Sequence, residues 1–251
     1  MSIFSRAKDI VVESTPVLVI DSLGLTSQIR RCSTKDLASL SAKLDRNFHR
    51  LETSLPFKFV VHTKNRVFGT DEFSAFRLND MFITYSMRSM PDFGLRYLIV
   101  ASLVFQALLI DGFIPRGGLG FGSIVAGKQS ILGLGFIDAY EASEKREELT
   151  RNICAIQVSS SFLNLVKASE KAARLLYFFG GSFYVNPTAL HDPDLGVFDR
   201  TRFLELLKAA GTNEEKMKAT ERFVLEGEDY ESALRRGSRS RLWADGFDQV
   251  G

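Results

Sequence analysis

Two carboxylates stand where the chain otherwise reads as apolar strand. Asp21 ends the run Val17-Leu18-Val19-Ile20 and is followed at once by Ser22-Leu23-Gly24, while Asp80 interrupts Phe76-Arg77-Leu78-Asn79-Asp80-Met81-Phe82-Ile83. Burying an unpaired carboxylate costs on the order of several kcal/mol unless a metal or an arginine offsets it. With Arg116-Gly117-Gly118 further along the chain, the pair suggests a magnesium or manganese site facing a phosphorylated substrate. Taken singly, each residue has a plainer reading: Asp21 as a turn aspartate before Gly24, Asp80 as an edge-strand turn residue, and Arg116 as a salt bridge at a strand end.

The elements that must position these residues follow from apolar periodicity. Pro16 opens a strand over residues 17–20, apolar without alternation as in a central strand covered on both faces. Thr34-Lys35-Asp36 caps a helix reaching residue 50, residues 57–62 read as a strand, and residues 74–86 read as one long strand carrying Asp80. A helix over 95–110 without a polar stripe must be buried. The strand 113–124 holds glycines at 117, 118, 120 and 122, a density that signals close approach of a ligand or a neighbouring backbone. A helix over 133–148, a strand over 153–158, a helix over 159–175, a strand over 177–185 and helices over 199–210 and 213–235 complete the chain. The order βαββαβ followed by further α/β elements predicts an α+β fold with a ferredoxin-like core.

Composition narrows the function classes. A chain of 251 residues that is 45% apolar can bury a sizeable core, and its 32 basic against 30 acidic residues call for neither nucleic acid nor an anionic membrane as partner. Cys32 and Cys154 have no C-x-x-C spacing and read as reduced, structural thiols, and the histidines at 49, 62 and 191 are too scattered for zinc. The N-terminus lacks a signal-peptide pattern and the apolar stretch 97–110 falls short of the roughly 20 residues a membrane span needs, so a cytoplasmic protein is expected. Residues 1–190 hold the motifs. Residues 191–251 read as a helical extension with a polar tail.

The ordered set Asp21-Ser22-Leu23-Gly24-Leu25-Thr26, Asn79-Asp80, Arg116-Gly117-Gly118-Leu119-Gly120-Phe121-Gly122 and, after Gly133, Ala139-Tyr140-Glu141 resembles the class III nucleotidyl cyclase domain. Within that family it looks most like the pyrimidine cyclases of the bacterial anti-phage system Pycsar. The resemblance implies that Asp21, Asp80 and the Ser22 carbonyl hold two divalent ions, Mn or Mg, and that Leu23, Gly24, Leu25 and Thr26 form the loop cradling the triphosphate. It implies that Arg116 contacts that triphosphate, and that a homodimer places its active sites between subunits. The cyclic nucleotide product would act on a separate effector protein.

The departures from the purine-cyclase pattern are as informative. The two polar base readers of purine cyclases fall on Phe76 and Ser130, so neither adenine nor guanine is matched; Phe76 would shrink the pocket toward a one-ring base, although it also fits a core position. UTP is expected ahead of CTP, since no acidic side chain is placed to accept the cytosine amino group. The family's helix asparagine and arginine fall on Ile137 and Glu141, and Lys128, Lys145 and Arg146 remain as cations that also fit solvated surface positions. Three readings follow: a uridylate or cytidylate cyclase, a non-catalytic cyclase-like dimer that senses nucleotides, and a polymerase-like or cyclic-dinucleotide synthase.

Overall fold

A computed structural model describes residues 10–22, 25, 29–30, 32–58, 73–78, 81–86, 93–127, 130–190 and 197–235. Among these, one sheet organises the chain. Its strands are β1 (Ile10–Ser22), β2 (Phe73–Leu78), β3 (Met81–Ser86), β4 (Pro115–Ala126), β5 (Ile131–Leu132), β6 (Ile156–Val158), β7 (Leu176–Phe179) and β8 (Ser182–Val185). The helices are α1 (Thr34–Lys58), α2 (Phe93–Ile110), α3 (Leu134–Glu144), α4 (Ser160–Val166), α5 (Glu170–Ala173), α6 (Arg200–Ala209) and α7 (Glu214–Arg235).

The strands lie in the order β2-β3-β1-β4-β6-β8-β7, with β5 paired to β4. Every pairing within β2-β3-β1-β4 is antiparallel. With α1 and α2 as crossovers, this is the ferredoxin-like split βαβ arrangement, so the expected α+β core is observed. β6 then adds parallel to β4 through α3, and the β7–β8 hairpin extends the sheet.

Residues Val17 to Ile20 are almost wholly inaccessible, as their unbroken apolar run requires. Leu18 and Ile20 join Phe82, Tyr97 and Phe105 in the main core beneath α2. Val17 and Val19 join Ile83, Ile124 and Ala139 in a smaller core beneath α3. α2 is long and apolar enough to cross a membrane by length and composition, and 67% of it is buried inside the fold. Phe198, Phe203, Leu207, Phe223 and Val224, from α6, its approach and α7, belong to the main core.

Several boundaries differ from the sequence reading. β1 begins at Ile10 rather than after Pro16, and a register shift between Val12 and Thr15 accommodates the proline, which has no N–H to donate. Ser33, not Thr34, caps α1: its hydroxyl accepts from Asp36 N at 3.3 Å and donates to Asp36 Oδ2 at 2.6 Å. These hydrogen bonds from Ser33 hold the Asp36 carboxyl below its ordinary pKa. α1 continues to Lys58, past the expected strand start at 57, because Leu44, Leu51 and Leu55 keep helical spacing; residues 59–62 lie outside the described residues.

The expected strand 74–86 is two antiparallel strands, β2 and β3, with Leu78 paired to Met81; Asn79 and Asp80 lie outside the described residues. The helix expected over 159–175 divides at Ser169, whose hydroxyl accepts from Ala172 N at 3.3 Å and so starts α5. The strand expected over 177–185 turns at Gly180 and Gly181, both in the left-handed region with φ of 56° and 78°.

Candidate active site

Asp21 stands at the C-terminal end of β1, directly opposite Arg116 of β4 in the strand register. Arg116 Nη2 lies 3.6 Å from Asp21 Oδ2 and 2.6 Å from Oε1 of Glu144, the last residue of α3. Arg116 is therefore a charge junction between two strands and a helix end. Its Nε is buried with no acceptor among the described residues. A buried donor left unpaired costs about 1 to 3 kcal/mol, so the guanidinium is arranged for one more oxygen than the described residues supply.

The neighbouring strands converge on the same end. Ile20 pairs with Phe82 across β1 and β3, and Leu78 pairs with Met81, so the β2–β3 connection begins beside the end of β1 that carries Asp21. Asp80 itself, with Leu23, Gly24 and Thr26, lies outside the described residues. Leu25 is buried in the main core. Phe76 occupies a backbone position opposite Ile83, which pairs with Val19 and through it with Gly118, two residues along from the Asp21–Arg116 row.

Ser130 is elsewhere. It is exposed in the β4–β5 connection, where Gly127 N donates to its carbonyl at 2.8 Å, at the Ala126 end of β4. Arg116 lies at the other end, roughly 30 Å away along the extended strand. One chain does not bring Ser130 to Asp21. A cleft of about 650 Å³ lined by Phe93, Leu95, Phe121, Leu165 and Lys171 also lies toward the Thr15 end, away from Asp21.

The glycine-rich strand is explained by backbone, not ligand. Gly118, Gly120 and Gly122 face α3, and a Cβ at any of them would meet the helix backbone at Ala139, Ser143 or Gly135. Gly133, with φ of 129°, turns the chain from β5 into α3. Asp138 then ties the helix down, accepting from Phe121 N at 3.1 Å, from Ser159 Oγ at 2.6 Å and from Ser161 Oγ. This close seating delivers Glu144 to Arg116. It leaves Leu134, Ile137, Tyr140 and Glu141 exposed on the outer face of α3.

Arg146 corrects the reading of the charged segment after Tyr140. It is buried: Nη1 donates to Ile153 O at 3.0 Å, and Nη2 donates to Gly117 O at 2.8 Å and Ala155 O at 2.7 Å. Its guanidinium lies 5.8 Å from the Tyr184 ring centroid. Burial lowers its pKa to about 10, which still leaves it charged at neutral pH. Arg146 thus pins the start of the β4–β6 pair and places a fixed cation behind Arg116. Lys145 by contrast is exposed and paired with Glu141, and Lys128 lies outside the described residues.

The oxygen donors of Asp21 and the Ser22 carbonyl suit a hard divalent ion; Asp80, the second candidate carboxylate, lies outside the described residues. Among the described residues no cluster of three His, Cys, Asp or Glu side chains is present. The buried Arg116 Nε fits a phosphate oxygen in the same place.

Neither a family model nor a curated protein matches this chain. Among solved structures it is similar to a class III adenylyl cyclase-like ATP-binding protein from Pseudomonas aeruginosa, at 11% identity and a TM-score of 0.47, covering 94% of this chain and 47% of that one. The chain spans about half the length of that protein.

Proposed function

We propose that the protein is a nucleotide cyclase that converts UTP to 3′,5′-cyclic UMP and pyrophosphate, with the product serving as an anti-phage signal read by a separate effector. The single observation that carries this reading is the cross-strand pair of Asp21 and Arg116. The motif resemblance supplies the reaction. In that reaction the ribose 3′-oxygen bonds to the α-phosphorus, the bond from that phosphorus to the β-phosphate oxygen breaks, pyrophosphate departs, and the hydroxyl proton passes to solvent.

Asp21, the Ser22 carbonyl and Asp80 would hold divalent ions, which supply charge neutralisation and a lowered pKa for the attacking hydroxyl. Leu23 to Thr26 would cradle the triphosphate. Arg116 would donate to the phosphate oxygens that gain charge as pyrophosphate leaves. Phe76 and Ser130 would bound the base from two different chains, since about 30 Å of strand separates Ser130 from Arg116 within one. The row Val11, Val125 and Leu132, exposed and paired across β1, β4 and β5, continues to Leu134, Ile137 and Tyr140 and offers an apolar surface for a second copy. A homodimer therefore belongs to the proposal.

A second reading, a non-catalytic dimer that binds nucleotides, is favoured by one observation. Ile137 is 49% exposed and Glu141 lies on the same face, apolar and acidic where purine cyclases carry an asparagine and an arginine. Incubating the full chain with manganese and an equimolar mixture of UTP, CTP, ATP and GTP, then resolving products by mass, separates the readings. Cyclic UMP should predominate. Mainly cyclic CMP would overturn only the choice of pyrimidine, mainly cyclic AMP or GMP would overturn the pocket argument, and no cyclic product would leave the binding module.

A further inference from the structure

Among the described residues the Arg116 side chain is engaged by Asp21 and Glu144 alone. Its Nη2 donates to Glu144 at 2.6 Å and stands 3.6 Å from Asp21, while its Nε is buried without an acceptor among the described residues. A guanidinium grips a phosphate through parallel donors, and Glu144 supplies a single oxygen to a single nitrogen. Glu144 is also poorly placed for a permanent role. It ends α3, where the helix dipole disfavours a carboxylate, and its side chain is 38% exposed against 15% for Arg116. Glu144 can turn into solvent while Arg116 stays on its strand.

The charge balance gives such a movement a consequence. Among the described residues, Arg116 contacts the carboxylates of Asp21 and Glu144, and Arg146 beside it is fixed by its three carbonyl contacts. Withdrawal of Glu144 takes a negative charge away from Arg116 and frees its Nη2, beside the buried Nε that has no acceptor among the described residues. An anion oxygen fills both vacancies at once.

We propose that Glu144 is a tethered competitor for the phosphate-binding arginine: its carboxylate occupies Arg116 until a polyphosphate displaces it, and this exchange sets the affinity for the triphosphate. The inference rests on the reading of Arg116 as the phosphate contact. Glu144 is a positioning residue, since it touches Arg116 and not the substrate.

Inorganic tripolyphosphate, titrated calorimetrically into the full chain without divalent ions, tests the exchange. Glu144→Gln keeps an oxygen for Arg116 and removes the charge, so binding should tighten roughly fivefold. Glu141→Gln removes a charge one turn earlier on the same helix without touching Arg116, and should leave affinity within about twofold of the parent. In an Arg116→Ala background the gain from Glu144→Gln should vanish. Glu144→Asp keeps the charge but shortens the reach, and should tighten binding less; it serves also if Glu144→Gln fails to fold.

Unchanged or weaker binding by the Glu144 variants, an equal gain from Glu141→Gln, or a gain that survives loss of Arg116 would each overturn the proposal. So would an absence of tripolyphosphate binding in parent and variants alike. Product analysis on the same preparations separates this inference from the cyclase reading. Arg116-dependent tightening without cyclic product keeps the competitor and removes the cyclase, and cyclic product without tightening does the reverse.

Discussion

Gly118→Ala probes the seating of α3 on β4, and with it the contact between Glu144 and Arg116. A Cβ at Gly118 would stand 2.6 Å from Ser143 N and 3.0 Å from Ala139 C, nearer still to Ala139 O, and each of these is backbone. To restore ordinary van der Waals separation α3 must retreat by roughly 1 Å or more, and a helix cannot yield one atom at a time. Overpacking of this kind costs about 1 to 3 kcal/mol, and the absence of any flexible side chain at the contact places it at the upper end. At about 2 to 4 °C per kcal/mol for a chain of this size, the melting midpoint should fall by roughly 6 to 12 °C. Gly181→Ala is the comparison: it has φ of 78° but nothing within 4 Å of its added Cβ, so only the backbone preference of about 1 to 2 kcal/mol is lost. Thermal unfolding followed by circular dichroism reads both. A Gly118→Ala midpoint equal to the parent, or less depressed than that of Gly181→Ala, would refute the close helix–strand approach.

Arg146→Met removes charged donors from three carbonyls and should cost about 3 kcal/mol or more, with Arg146→Lys recovering part of the loss; an unchanged urea midpoint would show that the buried guanidinium holds nothing. Arg116→Ala should raise the apparent KM for nucleoside triphosphate more than Arg116→Lys, because an ammonium keeps charge but not the planar fork, and equal kinetics in both variants and parent would return Arg116 to a purely structural role. Asp80→Ala should abolish cyclic product while leaving the melting midpoint near the parent value, and turnover that persists with the same metal dependence would remove Asp80 from the site. Burial pushes the Cys154 thiol well above its ordinary pKa and its Sγ donates to Pro115 O, so a thiol reagent at neutral pH should modify Cys32 in the native chain and Cys154 only after denaturation. Rapid native labelling of Cys154 would contradict that burial.

The legible parts of the sequence were those where one physical signal dominated. The unalternating run Val17 to Ile20 required a strand covered on both faces, and the stripe-free helix over 95–110 required burial; both are buried as expected. The alternating glycines announced a close approach, but sequence could not say whether a ligand or a backbone made it, because either occupies the same missing Cβ. Turn chemistry was underweighted twice. Ser169 and Gly180-Gly181 each interrupt a run short enough to read as continuous, and each is a cap or a turn. At the site, Asp21 and Arg116 were named from the sequence and are paired in space, whereas Glu144 and Arg146 were hidden in the charged run after Tyr140. Nothing local marks which member of such a run turns inward, since α3 ends there without a terminal glycine and Arg146 finds its carbonyl partners on β4 and in the lead-in to β6.

The most direct measurement is cyclic nucleotide formation by the full chain and by Asp21→Asn, side by side, with manganese and UTP. Asparagine preserves the size of the side chain at the end of β1 and one acceptor oxygen, while it removes the charge and turns the second oxygen into an amide donor. The expected result is cyclic UMP and pyrophosphate from the parent, with a rate at least about a hundredfold lower in a variant that unfolds at nearly the parent temperature. Cyclic product from Asp21→Asn at the parent rate would contradict the assignment of this carboxylate, and with it the active site built on the Asp21–Arg116 pair.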